Sequence, residues 1–259
     1  MTFISFVVAT YNCKSRVPIL LQTVRSLQHL DVEFLVSDGG SNDGTLEELQ
    51  KIDGINIVCS KPDKGIYDAW NRALSFAKGK YISFIGVDDI PNPEFIRQAE
   101  LLVSETSNPA IVYGNSVMLH NSKMRMAESP VEPKLFYDLH PVFDIPHQGL
   151  LHAANLFVDA RFNDHYKLAG DIDFLLSKRK EILEQGVKKI SCIQAHINAD
   201  GVSMSAKGHL IYYKEYKLIE NLRNIKLGYS KIRLILIGLL SYIPGSYDFF
   251  RCISWKIRD

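Results

Sequence analysis

What this chain lacks narrows it first. Its four cysteines, Cys13, Cys59, Cys192 and Cys252, lie far apart with no CxxC pair. That excludes a zinc ribbon and a disulfide scaffold and leads us to expect reduced, cytosolic thiols. The eight histidines form no HExxH pattern, and the chain has no GxxxxGK[ST] loop, no GxSxG elbow and no GxGxxG after its first apolar run. Zinc-hydrolase, P-loop, serine-hydrolase and dinucleotide-binding readings lose their main supports. The start, MTFISFVVATYN, carries neither a basic n-region nor a small-residue cleavage site. It reads as a buried strand and not as a signal peptide.

Excess charge is missing too. With 23% charged residues and a mean hydropathy of −0.04, the chain is neither a disordered tail nor a polytopic membrane protein. At 259 residues, 46% of them hydrophobic, it is long enough for one large α/β domain or two small ones. The net charge of +1 hides an asymmetry. Residues 1–206 hold 20 Lys/Arg against 25 Asp/Glu, whereas residues 207–259 hold 10 against 4. A body that is acidic overall argues against a nucleic-acid partner, and a basic tail suggests that one end faces something anionic.

The first ninety residues alternate strand and helix signals. Phe3–Thr10 is an almost unbroken apolar, β-branched run, the mark of a strand covered on both faces. Ser15 is placed to cap a helix to about Leu30. Phe34–Ser37 is the next strand, and Thr45-Leu-Glu-Glu48 matches a capping box. Strands over Ile55–Cys59 and Tyr81–Ile85 flank a helix over Ile66–Ala77. This order predicts a parallel, Rossmann-like sheet with helices on both faces, whose ligands sit beyond the carboxyl ends of the strands. Further on, we expect a helix over Pro93–Ser104, a strand over Ile111–Met118, loops across 119–149 and one helix over Asp171–Glu184. A strand over Ile190–Ile197, a loop over Ala199–Gly208 and a basic helix from Leu210 to about Leu227 complete the expectation.

Several residues at those strand ends can carry chemistry. Asp88 and Asp89 follow an apolar strand; adjacent carboxylates repel unless they share a cation, and hard divalent ions prefer oxygen donors. Their plainer reading is a solvated turn. Asp38, before two glycines, either accepts from a nucleobase N–H or closes an Asx-turn, and taken alone the turn is favoured. Lys64 lies at a loop-to-helix junction suited to a phosphate, beside Asp63, while Tyr67 and Trp70 read as core. Asp171 and Asp173 open a helix after Gly170, where Asp is a preferred cap. A base there needs desolvation to work near neutral pH. His147 and His196 stand in loops near polar residues, where either could touch substrate, but for each an ordinary loop histidine is favoured.

The order of these pieces carries more than any one of them. FVVATYN, then FLVSDGGSNDGT, then DKGIYDAWNRAL and AKGKYISFIGVDD resemble the inverting family 2 glycosyltransferases of the GT-A fold. Within that family the chain is most similar to bacterial enzymes that build O-antigen, capsule or colanic-acid units. The resemblance covers about residues 3–205 and implies a GT-A domain over 1–206, with a nucleotide-binding half (1–90) and an acceptor half (91–206), followed by a basic helical tail (207–259). It implies that Thr10, Tyr11 and Asp38 line a uracil pocket and that Asp63 and Lys64 close over nucleoside and phosphate. Asp88 would contact ribose or metal, and Asp89 would bind Mn²⁺ or Mg²⁺ at the diphosphate. Asp171 inherits the catalytic base of an (E/D)D motif, with Gly170 replacing its first acidic member and Asp173 as the fallback. Gly201-Val-Ser203 resembles a mobile segment closing over the donor. The implied reaction moves a sugar from a nucleotide sugar, UDP-linked by expectation, to a saccharide or polyprenyl-pyrophosphate-linked hydroxyl with inversion. A sugar nucleotidylyltransferase and a catalytically dead GT-A-fold interaction protein are the alternatives. The first lacks its glycine-rich loop after strand one, and the second is disfavoured by intact Asp38, Asp88, Asp89 and Asp171.

The tail supports two readings equally. Leu234–Tyr247 is uncharged over 14 residues, short of the roughly 20 that span a bilayer. Flanked by Lys226, Lys231, Arg233, Arg251 and Lys256, it either lies in an anionic interface on the inner face of the cytoplasmic membrane or packs as a terminal helix on a cytoplasmic domain.

Overall fold

The computed structural model describes residues 2–120, 123–138, 144–198, 201 and 205–227. Its strands are β1 (Ile4–Thr10), β2 (Val32–Asp38), β3 (Ile55–Ser60), β4 (Tyr81–Ile85), β5 (Ile90–Pro91), β6 (Ile111–His120), β7 (Lys123–Ala127), β8 (Leu151–Ala153) and β9 (Val187–Asn198). Its helices are α1 (Val17–Leu27), α2 (Thr45–Leu49), α3 (Ile66–Leu74), α4 (Pro93–Glu105), α5 (Lys134–Tyr137), α6 (Gly170–Ser177), α7 (Arg179–Gln185) and α8 (Ala206–Arg223). Short 3₁₀ turns at Lys14–Arg16 and Ala154–Phe157 precede α1 and follow β8.

The strands form one sheet in the order β3-β2-β1-β4-β8-β6-β9-β5, with β7 on the outer part of β6. Pairing is parallel from β3 through β4 and between β6 and β9; β8, β7 and β5 run antiparallel to their neighbours. The expected mostly parallel α/β sheet is therefore observed. Alternation along β1 assigns its two faces, because successive side chains point to opposite sides. Ile4, Phe6 and Val8 join a core with Val17, Leu20 and Val24 of α1 and Phe95 and Ile96 of α4. Val7, with Leu35 and Phe84, joins the other core, against Tyr67 and Trp70 of α3 and Ile172 and Leu175 of α6.

Local details depart from the sequence reading. Ser15 lies inside the 3₁₀ turn, and α1 starts after Arg16 with no side-chain cap. The capping box at Thr45 is not made. Gly44 occupies the cap in the left-handed region at φ 90°, and Thr45 Oγ1 instead accepts from the Cys13 N–H at 2.8 Å. The helix expected over 171–184 breaks at Lys178, whose ammonium pairs with Asp159 and Glu181 at 2.8 Å each. Segment 119–149 holds β7 and α5 rather than loops alone. Hydrophobicity underreports β7, since Met124 and Met126 point largely to solvent.

The largest departure concerns the tail. Its opening helix, α8, is part of the domain: Ile219 is fully buried in the α3/α6-side core, and Tyr212, Tyr216 and Leu227 pack against it. A boundary at 206 therefore cuts through a packed core. Residues 228–259, with Leu234–Tyr247, and Val202-Ser203 lie outside the described residues.

Candidate active site

Register puts the candidate residues on one rim. Thr10 at the end of β1 pairs with Asp38 at the end of β2, and Val8 with Ile85 at the end of β4. The loop after β3 and the Gly86–Asp89 loop open on the same side.

Asp38 is fully buried and crowded with donors. Its Oδ1 accepts from Thr10 Oγ1 (3.1 Å) and Ser41 Oγ (2.5 Å). Its Oδ2 accepts from the N–H groups of Gly40 (3.1 Å) and Ser41 (2.9 Å) and from Ser60 Oγ (3.0 Å). Burial would raise this carboxyl, but the hydroxyl and N–H donors of Ser41, Ser60 and Thr10 outweigh it and hold it below the usual range. Five accepted bonds exceed the roughly four lone-pair sites of a carboxylate. Asp38 thus forms the Asx-turn and fastens three strand ends, and a nucleobase N–H would have to displace one of its hydroxyl partners.

The neighbouring Asp63 is differently placed. Its Oδ1 accepts from the Gly65 N–H at 2.9 Å. Its Oδ2 lies where a Cβ on Gly39 would fall, 2.5 Å away, and the ring of Tyr11 borders the same point. Tyr11 is 64% exposed, so Tyr11, Gly39 and Asp63 form an open, flat-walled corner beside Thr10. Burial raises the Asp63 carboxyl. Lys64 points its ammonium at Asp164 (2.8 Å), a partner absent from the sequence reading.

Asp88 and Asp89 divide the work of their loop. Asp89 is 4% exposed; it accepts from the Gly86 N–H at 2.7 Å and, more weakly, from the Asn198 N–H at 3.3 Å. Burial, with Asp88 alongside, pushes it up to about 7 against the Gly86 bond. Asp88 accepts from Asn198 Nδ2 at 2.8 Å and faces the Arg16 guanidinium at 3.3 Å. A Cβ on Gly86 would sit 3.1 Å from Asp89 Oδ2 and 3.4 Å from Asp88 Oδ1. Glycine here leaves a small cradle bordered by both carboxylates. Hard oxygen donors around such a gap fit a divalent ion that keeps further oxygen ligands from phosphate and water. No third His, Cys, Asp or Glu joins them among the described residues.

Asp171 occupies the first turn of α6, but the cap position belongs to Ala169. Its side chain is 7% exposed. Oδ1 accepts from Tyr67 Oη at 3.0 Å and from the Ile172 N–H at 2.9 Å. Oδ2 lies 4.0 Å from His147 Nδ1. Burial pushes Asp171 up to about 6 despite the Tyr67 bond, and burial together with this carboxylate keeps Tyr67 protonated as a donor. Gly170 is what admits Tyr67: a Cβ there would lie 2.8–3.0 Å from three ring carbons. An acidic residue at 170 would therefore evict the phenol that binds Asp171. Asp173, the fallback base, is tied to Arg223 of α8 at 2.6 Å.

His147 is not an exposed loop histidine: it is 3% exposed and its ring lies near Asp171. It packs against both Trp70 and Phe84, with ring centroids 5.5 Å from each, while those two rings touch one another at 4.6 Å. Burial, with His152 beside it, pushes its pKa well below the usual value. It is neutral, so its approach to Asp171 is not an ion pair. His147 thereby connects Asp171 to Phe84, near the end of β4. His196 instead lies in β9, paired with Ile90. Sequence reasoning missed Tyr67 as a ligand of Asp171, and the contacts of Arg16, Asn198, Tyr212 and Glu215. For Tyr67 the signal was present: it lies two residues after Gly65, at the loop-to-helix junction. For the α8 residues no spacing rule points across the chain.

Comparison with known proteins shows the family and the fold. The family model described as glycosyl transferase family 2 matches residues 5–139. The chain belongs to glycosyl transferase family 2. It is 35% identical over 91 residues to the Escherichia coli protein named UDP-Glc:alpha-D-GlcNAc-diphosphoundecaprenol beta-1,3-glucosyltransferase WfaP, a match spanning 34% of this chain and 36% of that one. The matched stretch is thus about a third of either protein. In fold, it is similar to S. aureus TarS in complex with UDP, at TM-score 0.64 and 18% identity, covering 99% of this chain and 75% of that one. It is also similar to the mannosyltransferase PcManGT of Pyrobaculum calidifontis in complex with GDP-Man and Mn²⁺, at TM-score 0.58 and 14% identity, covering 93% and 70%. These likenesses show the GT-A glycosyltransferase fold. Family membership sets aside the nucleotidylyltransferase reading.

Proposed function

We propose that the protein transfers a sugar from a UDP-sugar to a hydroxyl of a saccharide or lipid-linked saccharide, inverting the anomeric configuration, in surface polysaccharide synthesis. The observation that carries this reading is a desolvated carboxylate, Asp171, in the first turn of α6, with one oxygen, Oδ2, left without a hydrogen-bond donor among the described residues. The relatives' names support the substrate class: WfaP is named for UDP-glucose and a diphosphoundecaprenol-linked acceptor, and TarS is in complex with UDP.

In this reading the base of the nucleotide stacks on Tyr11 beside Thr10, with Asp63 Oδ2 as the accepting oxygen and Asp38 as the fastener behind it. Lys64 exchanges Asp164 for a donor phosphate. Asp88 and Asp89 would hold Mn²⁺ or Mg²⁺, which supplies charge to offset the departing diphosphate; a GDP-Man neighbour with Mn²⁺ supports that pairing. The acceptor hydroxyl oxygen attacks the anomeric carbon from the face opposite the leaving UDP. As that C–O bond forms and the bond to the phosphate oxygen breaks, the hydroxyl proton passes to Asp171 Oδ2. Tyr67 holds Oδ1 meanwhile, so the accepting oxygen is fixed. One displacement turns an α-linked donor into a β-glycoside.

No helix among the described residues is long and apolar enough to cross a membrane. A cytoplasmic enzyme that meets a lipid-linked acceptor through basic residues 228–259 fits the charge asymmetry, and flotation with anionic vesicles with and without that segment tests it. The reaction itself is tested by screening nucleotide sugars with Mn²⁺ or Mg²⁺. We expect UDP to raise the melting temperature according to RT ln(1 + [L]/Kd), with the effect weakened by Asp88→Ala, and one UDP-sugar to be turned over. Absence of UDP binding in calorimetry with either ion present would overturn the assignment.

A further inference from the structure

Helix α6 begins without a side-chain cap of its own, although it carries the proposed base in its first turn. The missing acceptor comes from another helix. Glu215, midway along α8, accepts from the N–H of Lys167 (2.6 Å) through Oε1 and from those of Leu168 (2.9 Å) and Ala169 (2.8 Å) through Oε2. Three consecutive N–H groups converge on one carboxylate, a backbone nest filled from within the chain. Charge-assisted bonds of this kind are about twice as strong as neutral ones. The same helix ties Asp173 through Arg223 at 2.6 Å, buries Ile219 in the core below α6 and places Tyr212 and Tyr216 where they feel the Asp171 charge.

We propose that Glu215 is a positioning residue for the transfer reaction: seated on the 167–169 backbone, it fixes the entry of α6 and thereby aims Asp171 Oδ2 at the acceptor hydroxyl. The inference rests on the proposed glycosyl transfer and assigns α8 a part in it. Three features favour it over simple tertiary packing. The carboxylate contacts the segment immediately before Gly170, the residue whose lack of a side chain admits Tyr67. Both ends of the first α6 turn, 167–169 and Asp173, are held by α8. And Glu215 is one of the charges that bear on Asp171, raising its pKa. The other groups facing Asp171 are Tyr67 from α3, neutral His147 from the loop before β8, and Tyr212 and Tyr216 from α8, all uncharged near neutral pH.

The test uses the full-length chain with Glu215→Gln and Glu215→Ala. Gln keeps the length and one accepting oxygen but removes the charge. Ala removes both. Glu215→Ala is expected to lower kcat by about 10²-fold, the cost of a misplaced catalytic group, with donor KM and UDP affinity within about threefold. Glu215→Gln is expected to recover part of kcat and to move the acid limb of the pH profile to lower pH, because the negative charge beside Asp171 is gone. Amide exchange at residues 167–173 should quicken in both variants while exchange in β1 and β4 stays unchanged. Unaltered exchange at 167–173 in Glu215→Ala, or full kcat with an unmoved acid limb in both variants, would overturn the proposal. So would a loss of kcat that merely tracks the unfolded fraction. A wild-type chain inert towards every nucleotide sugar would sink the glycosyl-transfer reading alone. Exchange would still decide whether Glu215 holds the segment.

Discussion

Two buried aspartates have opposite electrostatic fates. Asp38 is surrounded by five donors and held below its ordinary pKa. Asp171 has one phenol and one N–H, and burial lifts it to about 6. Burial acts on both; the number of donors decides which way each moves. Asp38 is therefore a satisfied, ionised group that fixes backbone. Asp171 stays under-supplied, which costs stability and leaves it basic enough to take a proton near neutral pH.

The sharpest way to break this contrast is Asp171→Asn. Asn preserves size and can still receive the Tyr67 hydroxyl, but it takes no proton at useful pH. Turnover is expected to fall about 10²–10⁴-fold with UDP affinity unchanged, whereas Asp173→Asn should cost far less. For the wild type, kcat/KM should rise with pH through about 6 as Asp171 ionises. The stability sign follows from the same shift. The folded state binds this proton more tightly than the unfolded chain, so stability falls as pH rises from about 4 to 6, and Asp171→Asn should flatten that fall. Near-full activity in Asp171→Asn, or a flat pH profile across that window, would remove Asp171 from the mechanism.

Asp38→Ala attacks the other member of the pair, and here folding should suffer. Removing the carboxylate strands the hydroxyls of Thr10, Ser41 and Ser60 and the N–H groups of Gly40 and Ser41, and leaving such buried groups unpaired costs about 1–3 kcal/mol apiece before water or relaxation repays it. A destabilisation of roughly 2–4 kcal/mol is expected, read from urea unfolding at pH 7. Because the folded pKa is depressed, Asp38's contribution is complete above the ordinary Asp range and is lost as the pH drops below it. Wild type should therefore keep its smallest advantage over the variant at low pH, where the two curves converge. A variant as stable as wild type at pH 7 would mean that the five bonds merely replace those to water.

How legible these two aspartates were in the sequence differs for the same reason. Asp38 stands before Gly-Gly-Ser at a strand end, and both the turn and the strand follow from local pattern. The whole β-α-β half shares that property, since each strand and helix there owes its existence to neighbours within about ten residues. Asp171 could be placed by motif order, but its character could not. Tyr67, His147 and Glu215 reach it from 104, 24 and 44 residues away. Hydrophobic period wrote Tyr67 off as core, and nothing local tells a helix-capping Glu from a solvated one. Gly170 shows the limit most clearly: in sequence it looked like a weakened motif, and in space it is the room that Tyr67 needs.

Lys64→Ala sharpens the comparison at its weak end. Lys64 is exposed and paired with Asp164, itself at the surface, and such pairs are screened and contribute little to folding. Its melting temperature should therefore match wild type. If Lys64 only braces Asp164, nothing else should change either. If it turns to a donor phosphate, donor KM should rise about two- to five-fold, the worth of a solvent-exposed charge pair, while kcat at saturating donor is kept. The rise should shrink at higher ionic strength, because screening removes from wild type the attraction that the variant already lacks. An equal KM at low salt would confine Lys64 to the surface pair and leave the donor side of the rim to Tyr11, Asp63 and the Asp88-Asp89 loop.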